Sequence, residues 1–222
     1  MVTKAVVRKV ARALAAHYGP QRWDGPGDPL SGLIGTILSQ NTNDRNSGEG
    51  FRRLKARFPS WEDALAAPVS SIAAAIRVSG LSNIKSRRIK NVLKQIKRDR
   101  GTLSLDFLHA LPVEQAREYL RRFKGVGEKT IACVLLFACG KPVFPVDTHV
   151  LRVSKRLWLA PGRTTAEKAH ALLQRVVPDD LMYSFHVLMI FHGRRTCHAR
   201  NPDCAACVIG TYCGWYSQGR LR

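Results

Sequence analysis

The chain has 222 residues, enough to bury a substantial core in one large domain or two smaller ones. Lysine and arginine outnumber aspartate and glutamate 36 to 16, a formal charge of +20 spread along the whole length, which points to a polyanionic partner. No apolar run approaches the ~20 residues of a membrane-spanning helix, so nucleic acid is favoured over lipid, and the lack of a secretory h-region places the cysteines in a reducing compartment where disulfides are not expected.

Helical periodicity dominates and alternating strand patterns are nearly absent, so the expected fold is all-α. Residues 4–17 read as a first helix, carrying Lys4, Arg8, Lys9 and Arg12 with no acidic side chain before Asp24. That pattern is shared by basic surface helices and organelle transit segments, and the surface helix is the simpler reading. Gly19, Pro20, Gly25, Pro26, Gly27 and Pro29 form a breaker-rich connection. Leu30, Leu33, Ile34, Ile37 and Leu38 then recur at helical spacing without a charge among them, which predicts a helix buried in the middle of a bundle. It ends in the polar run Ser39-Gln40-Asn41-Thr42-Asn43-Asp44.

Further helices are expected at 45–57, 61–67, 69–77, 83–99, 104–110, 113–123, 127–139, 148–159, 164–176 and 179–192. Residues 193–222 lose periodicity and are rich in Cys, Gly, Arg and Asn, so something other than an apolar core must hold them. Cys197, Cys204, Cys207 and Cys213 supply it, following the spacing C-x6-C-x2-C-x5-C in a segment with almost no large apolar side chains. Four thiolates can converge on one metal centre there. Spacing alone leaves mononuclear zinc and an iron–sulfur cluster both open, although zinc sites usually pair two CxxC knuckles and only Cys204 and Cys207 form one. Cys133 and Cys139 lie in an apolar helical stretch and read as ordinary core residues.

The stretch Leu120 to Ala132 couples one amphipathic helix to another through Gly125-Val126-Gly127. Backbone N–H groups at the second helix start, its dipole and nearby Lys124 can hold a phosphate without reading a base. A plain helix corner with a glycine cap explains the turn equally well. Lys129, just inside the second helix, is either a nucleophilic amine or a solvated phosphate contact. Asp147 in Pro145-Val146-Asp147-Thr148-His149 stands where another helix begins, a natural N-cap. A capping carboxylate has a fixed orientation, which also suits it to stabilise positive charge developing on a sugar.

Taken together these residues resemble the endonuclease III family of helix-hairpin-helix DNA glycosylases. The resemblance covers nearly the whole chain and rests on Leu38 to Asp44, Gly80-Leu81, Gly125-Val126-Gly127-Glu128-Lys129-Thr130, Val146-Asp147-Thr148-His149, His192-Gly193-Arg194 and the four spaced cysteines. It implies two all-α domains with the active-site cleft between them. One is a six-helix barrel at residues 30–141, and the other is formed by residues 1–29 and 142–222 around a 4Fe–4S cluster. In such proteins the lysine at the position of Lys129 attacks C1′ of the damaged nucleotide, and the aspartate matching Asp147 assists base departure. A Schiff base follows, and β-elimination cuts the strand 3′ to the lesion.

The resemblance further implies that the target base leaves the stack, which is easiest for damaged or mispaired bases. Gln40 or Asn41 matches the side chain inserted opposite the lesion, and Leu81 the apolar wedge. Lys124, Gly125, Val126, Gly127, Thr130 and His149 fall at DNA-contacting positions, and Cys197, Cys204, Cys207 and Cys213 at the cluster ligands. Some residues depart from the usual pattern: Ser39-Gln40-Asn41-Thr42-Asn43-Asp44 replaces Ser-Ala-Gln-Ala-Thr-Asp, and Phe123-Lys124 replaces Leu-Pro. The expected protein is a monomeric enzyme of base excision repair acting on oxidised pyrimidines in duplex DNA, cytoplasmic and nucleoid-associated in a bacterium or archaeon. The competing readings are a mismatch or alkylated-base glycosylase with weak or no lyase activity, and a non-catalytic DNA-binding redox sensor.

Overall fold

Apolar side chains spaced three and four apart give the chain its helices, and the computed structural model, which describes residues 3–219, contains no strand among them. The expectation of an all-α fold therefore holds. In chain order the α-helices among the described residues are α1 (Lys4–Tyr18), α2 (Pro29–Ser39), α3 (Asp44–Arg57), α4 (Trp61–Ala66), α5 (Val69–Ala75), α6 (Ser82–Arg100), α7 (Val113–Arg121), α8 (Glu128–Cys133), α9 (Thr148–Arg156), α10 (Ala166–Val176), α11 (Met182–Arg195) and α12 (Gly214–Ser217). They divide into two units, one formed by the chain up to Gly25 and from Lys141 onward, the other by Pro26–Gly140.

In the Pro26–Gly140 unit, α2 is the central element. Asp28 caps it by accepting from the N–H groups of Leu30 (2.9 Å) and Ser31 (3.1 Å), and Pro29 fills the first helical position, where no N–H is missed. Leu30, Leu33, Ile34, Ile37 and Leu38 are fully buried, contributing roughly 1.5–3 kcal/mol each before chain entropy is subtracted. They pack against α3, α6 and α8. In the other unit Val7, Val10 and Leu14 of α1 are buried, and α1 packs on α11, with the Arg8–Asp180 ion pair (2.7 Å) at its exposed edge.

Several expected helices take a different form. The stretch 127–139 is an α-helix only to Cys133, after which Val134–Ala138 forms a wider π turn closed by Cys139 N–H on the Val134 carbonyl (3.2 Å). At the end of that turn the Ala138 carbonyl accepts from Gly27 N–H (2.9 Å), and its Cβ would stand 3.1 Å from one added at Gly32. Periodicity alone does not separate 3.6 from 4.4 residues per turn in so short a run. The helix expected at 104–110 is a 3₁₀ turn, Asp106–His109. Ser104 tightens it by accepting from Asp106 N–H (3.0 Å) and donating to its carboxylate (2.8 Å), and Pro112 stops it. The stretch 69–77 divides into α5 and a 3₁₀ turn, Arg77–Ser79, while 179–192 begins as 3₁₀ and continues as α11 to Arg195. The tail read as aperiodic holds α12, a single turn too short to show a period. Cys133 is buried as expected, whereas Cys139 is only half-buried.

The 3₁₀ turn at Arg77–Ser79 sits directly on α3. A Cβ at Gly50 would lie 1.9 Å from Ser79 Oγ, which donates to the Asn46 carbonyl (3.2 Å). Gly50→Ala is therefore expected to lower the unfolding free energy by about 1–3 kcal/mol in urea titration, with part of the loss recovered when Ser79 is also changed to Ala. A neutral Gly50→Ala would mean that the turn can move away from α3 at little cost.

Candidate nucleic-acid interface and cysteine centre

The hairpin between α7 and α8 is built from both sides of its turn. Ala116 and Leu120 anchor α7 in the core, and the two helices are joined on the surface by Glu128, which pairs with Arg117 (2.9 Å) and Arg121 (2.6 Å). Gly125 has φ +83°, a conformation in which an L side chain is strained, and its Cα faces the Arg88 guanidinium, whose Nε would lie 2.2 Å from an added Cβ. Val126 is only 5% exposed, and its N–H donates to the Phe123 carbonyl (3.0 Å). The helix ladder begins with Ile131 N–H on the Gly127 carbonyl (3.0 Å). Among the described residues the N–H groups of Gly127, Lys129 and Thr130 meet no acceptor. A glycine N-cap supplies no side chain to fill them, so the helix start keeps donors open to an acceptor. Lys124 is exposed beside it and Lys129 is half-buried on α8.

Gln40, at the end of α2, reaches this hairpin. Its Nε2 donates to Thr130 Oγ1 (3.2 Å) and to the Gly125 carbonyl (3.4 Å), and its Oε1 accepts from Arg88. Asn41 is different: it is exposed, with φ +53°. Leu81 matches it, 50% exposed at φ +48°. A left-handed conformation costs a residue with a Cβ about 1–2 kcal/mol, so two exposed side chains held that way mark places where surrounding structure dictates the backbone.

In the other unit, Asp147 caps α9 by accepting from Val150 N–H (2.7 Å) through Oδ1, and it is half-buried. The extended segment before it is pinned by side chains from two helices. Gln174 accepts from Phe144 N–H (2.9 Å) and donates to the Pro142 carbonyl (2.7 Å), while His186 Nδ1 lies 3.0 Å from the Pro145 carbonyl. His149 packs its Cβ on Gly193, and its Nδ1 lies 3.0 Å from Arg152 Nη2, which also donates to the Gly193 carbonyl (2.7 Å).

Cys197, Cys204, Cys207 and Cys213 line one cavity together with Arg156 and His192. Arg156 Nη1 donates to Cys197 Sγ (3.1 Å) and His192 Nε2 lies 3.6 Å from Cys207 Sγ. Burial, reinforced by the other three sulfurs, pushes the Cys207 thiol up to about 11 and raises Cys204 in the same sense. Thiols gathered in one cavity, two of them with ionisation held back by burial, are a donor set that a positively charged metal centre would relieve. Among the described residues no three Cys, His, Asp or Glu side chains close on a single-ion position.

Arg88, Glu128, Gln174 and His186, which hold the hairpin and the Asp147 segment, are missed by sequence reasoning. Arg88 lies among 36 lysines and arginines, and only the placement of His186 on an apolar helix face offered a signal.

The hairpin between α7 and α8 and the four-cysteine tail together define the class of protein. Residues 34–179 match the HhH-GPD superfamily of base excision DNA repair proteins. The chain is 43% identical over 165 residues to an Arabidopsis thaliana protein provisionally described as a DNA glycosylase, covering 74% of this chain and 56% of that one. It is 36% identical over 189 residues to endonuclease III of Sulfolobus acidocaldarius, covering 83% and 81% respectively. A solved structure of a trapped endonuclease III–DNA covalent intermediate matches over the full length of both chains with a TM-score of 0.82 at 29% identity. A thermostable thymine-DNA glycosylase shares the fold, with a TM-score of 0.80 at 23% identity over 96% of this chain and 98% of that one. The chain belongs to the endonuclease III family of the HhH-GPD superfamily.

Removing the Gln40 amide should loosen the hairpin it braces. Gln40→Ala is expected to weaken binding to undamaged duplex by several-fold and to destabilise the fold by about 1–2 kcal/mol, read by fluorescence anisotropy and urea titration. Unchanged affinity and stability would show that the hairpin stands without this bridge.

Proposed function

We propose that the chain is a DNA glycosylase of base excision repair with an attached β-lyase, removing oxidised pyrimidines from duplex DNA through a lysine Schiff base. The observation that carries this reading is Lys129, held in the first turn of α8 among unpaired N–H groups suited to a phosphate. An amine so placed lies beside the backbone it would attack.

In the reaction, Lys129 Nζ forms a bond to C1′ as the C1′–N bond breaks, and the electron pair leaves with the base, which gains a proton. The amine loses its own proton and the sugar ring opens to the Schiff base. Removal of a C2′ proton then expels the 3′ phosphate, and water releases the lysine. Asp147 stabilises the positive charge that grows on the sugar, and its cap bond to Val150 N–H leaves Oδ2 for that task. Extrusion of the nucleotide precedes chemistry, with Asn41 and Leu81 presented to occupy the space it leaves. Lys124 and the N–H groups of Gly127, Lys129 and Thr130 hold the phosphate. Gln40, Gly125 and Val126 act through the shape of the hairpin.

Cys197, Cys204, Cys207 and Cys213 would hold a 4Fe–4S cluster. The four cysteines line one cavity, and only Cys204 and Cys207 form a CxxC knuckle of the kind that zinc sites usually pair. When bound, the cluster supplies a covalent crosslink to a tail that has little apolar core of its own.

Borohydride trapping on a panel of single-lesion duplexes tests the chemistry. The unaltered chain is expected to give a covalent adduct with oxidised pyrimidines, Lys129→Ala none, and Asp147→Asn base release slowed by roughly 10²-fold or more. Base release with no adduct in the unaltered chain would point to a monofunctional glycosylase of mismatched or alkylated bases. For the tail, the purified chain is expected to show broad visible absorbance with iron and sulfide in equal amounts, lost in Cys207→Ala. A colourless protein containing one zinc would overturn the cluster assignment.

A further inference from the structure

Asn41 and Leu81 sit on two separate loops, one after α2 and one before α6, and a single buried side chain joins those loops. Lys85 on α6 is 1% exposed, one of the large side chains wholly withdrawn from solvent among the described residues. Its Nζ donates to the carbonyl of Leu38, three residues before Asn41, and to the carbonyl of Ser79, two residues before Leu81, both at 2.7 Å. Its own N–H donates to the Leu81 carbonyl (2.9 Å). The Leu38 carbonyl is among those a helix leaves unpaired in its last turn, where the dipole also favours a cation. Ser79 is fixed a second time, by its hydroxyl on the Asn46 carbonyl and by its fit against Gly50.

Burying an amine is costly unless its donors are used, and burial, with Arg88 second, pulls Lys85 below the ordinary lysine range. An apolar side chain in this position would avoid that cost. The two carbonyls it bridges lie three residues before Asn41 and two before Leu81, both of which adopt the left-handed backbone. Backbone of that kind persists only where the surroundings dictate it.

We propose that Lys85 is a positioning residue that sets the distance and orientation between Asn41 and Leu81, so that both side chains enter the duplex together when the target nucleotide leaves it. This rests on the reading of the chain as a base-extruding glycosylase. Lys85 touches neither DNA nor the reacting atoms; it acts through the two loops.

The test separates extrusion from DNA grip. Lys85→Met keeps the length and loses the donors. Single-turnover base release from a paired lesion is expected to fall by roughly 10- to 100-fold. The fluorescence rise of 2-aminopurine placed beside the lesion, which reports unstacking, should shrink in parallel. Affinity for undamaged duplex should change by less than about threefold, since phosphate contacts lie elsewhere. In a double-mutant cycle, Leu81→Ala added to Lys85→Met should cost well under its effect in the unaltered chain, because the wedge is already misplaced.

Lys85→Arg keeps donors but lengthens the bridge, so it should show the same split at smaller size, and it carries the test if Lys85→Met does not fold. Equal losses of base release and of undamaged-duplex affinity in a folded variant, or strict additivity with Leu81→Ala, would overturn the positioning role alone. An unaltered chain that releases no base from any lesion duplex overturns the parent reading and this one with it.

Discussion

Gly125 turns the chain between α7 and α8 at a backbone angle that L side chains rarely adopt, and the character of the hairpin depends on that turn leaving donors at the start of α8 without acceptors among the described residues. Each neighbouring group is already engaged. Val126 N–H is taken by Phe123, the Gly125 carbonyl and Thr130 hydroxyl by Gln40, and Glu128 by two arginines. The unpaired N–H groups are thus a site created by exclusion, rigid because its surroundings have no freedom to fill it.

The same economy of partners governs the unit that contains Asp147. A carboxylate on a loose loop would have no fixed direction. Here the extended stretch before it is clamped through Gln174 and His186, and its own cap bond fixes the remaining torsions. Polar side chains from apolar helices therefore do the orienting, at a point where backbone ladder bonds are absent. In the tail, where even those are scarce, the cysteines and Arg156 take over that role.

Much of this was legible in the residues themselves. The uncharged spacing of Leu30 to Leu38 marked the buried helix, the glycines at 125 and 127 marked the hairpin, and Asp147 was identifiable as a cap from its place in the sequence. Gln40 and Asn41 were indistinguishable, because adjacent polar residues at a helix end differ only in backbone angle, which no side-chain pattern encodes. Lys85 was invisible for another reason. A lysine in a helix with seven other basic residues reads as surface, and only its two carbonyl partners, distant in sequence or hidden in a 3₁₀ turn, reveal it as core. Tertiary contacts likewise decided the wide turn at Val134–Ala138 over the regular helix that propensity favours.

That wide turn carries one residue more than an α-helical turn would need. Each residue advances an α-helix by about 100°, whereas the wide turn spreads one revolution over more residues, so deleting one there would draw the turn in to α-helical width and shift the groups on it. The Ala138 carbonyl at its end would then be drawn away from Gly27 N–H. Length in this stretch is accordingly constrained more tightly than composition: apolar exchanges should be absorbed, whereas gain or loss of a single codon should not.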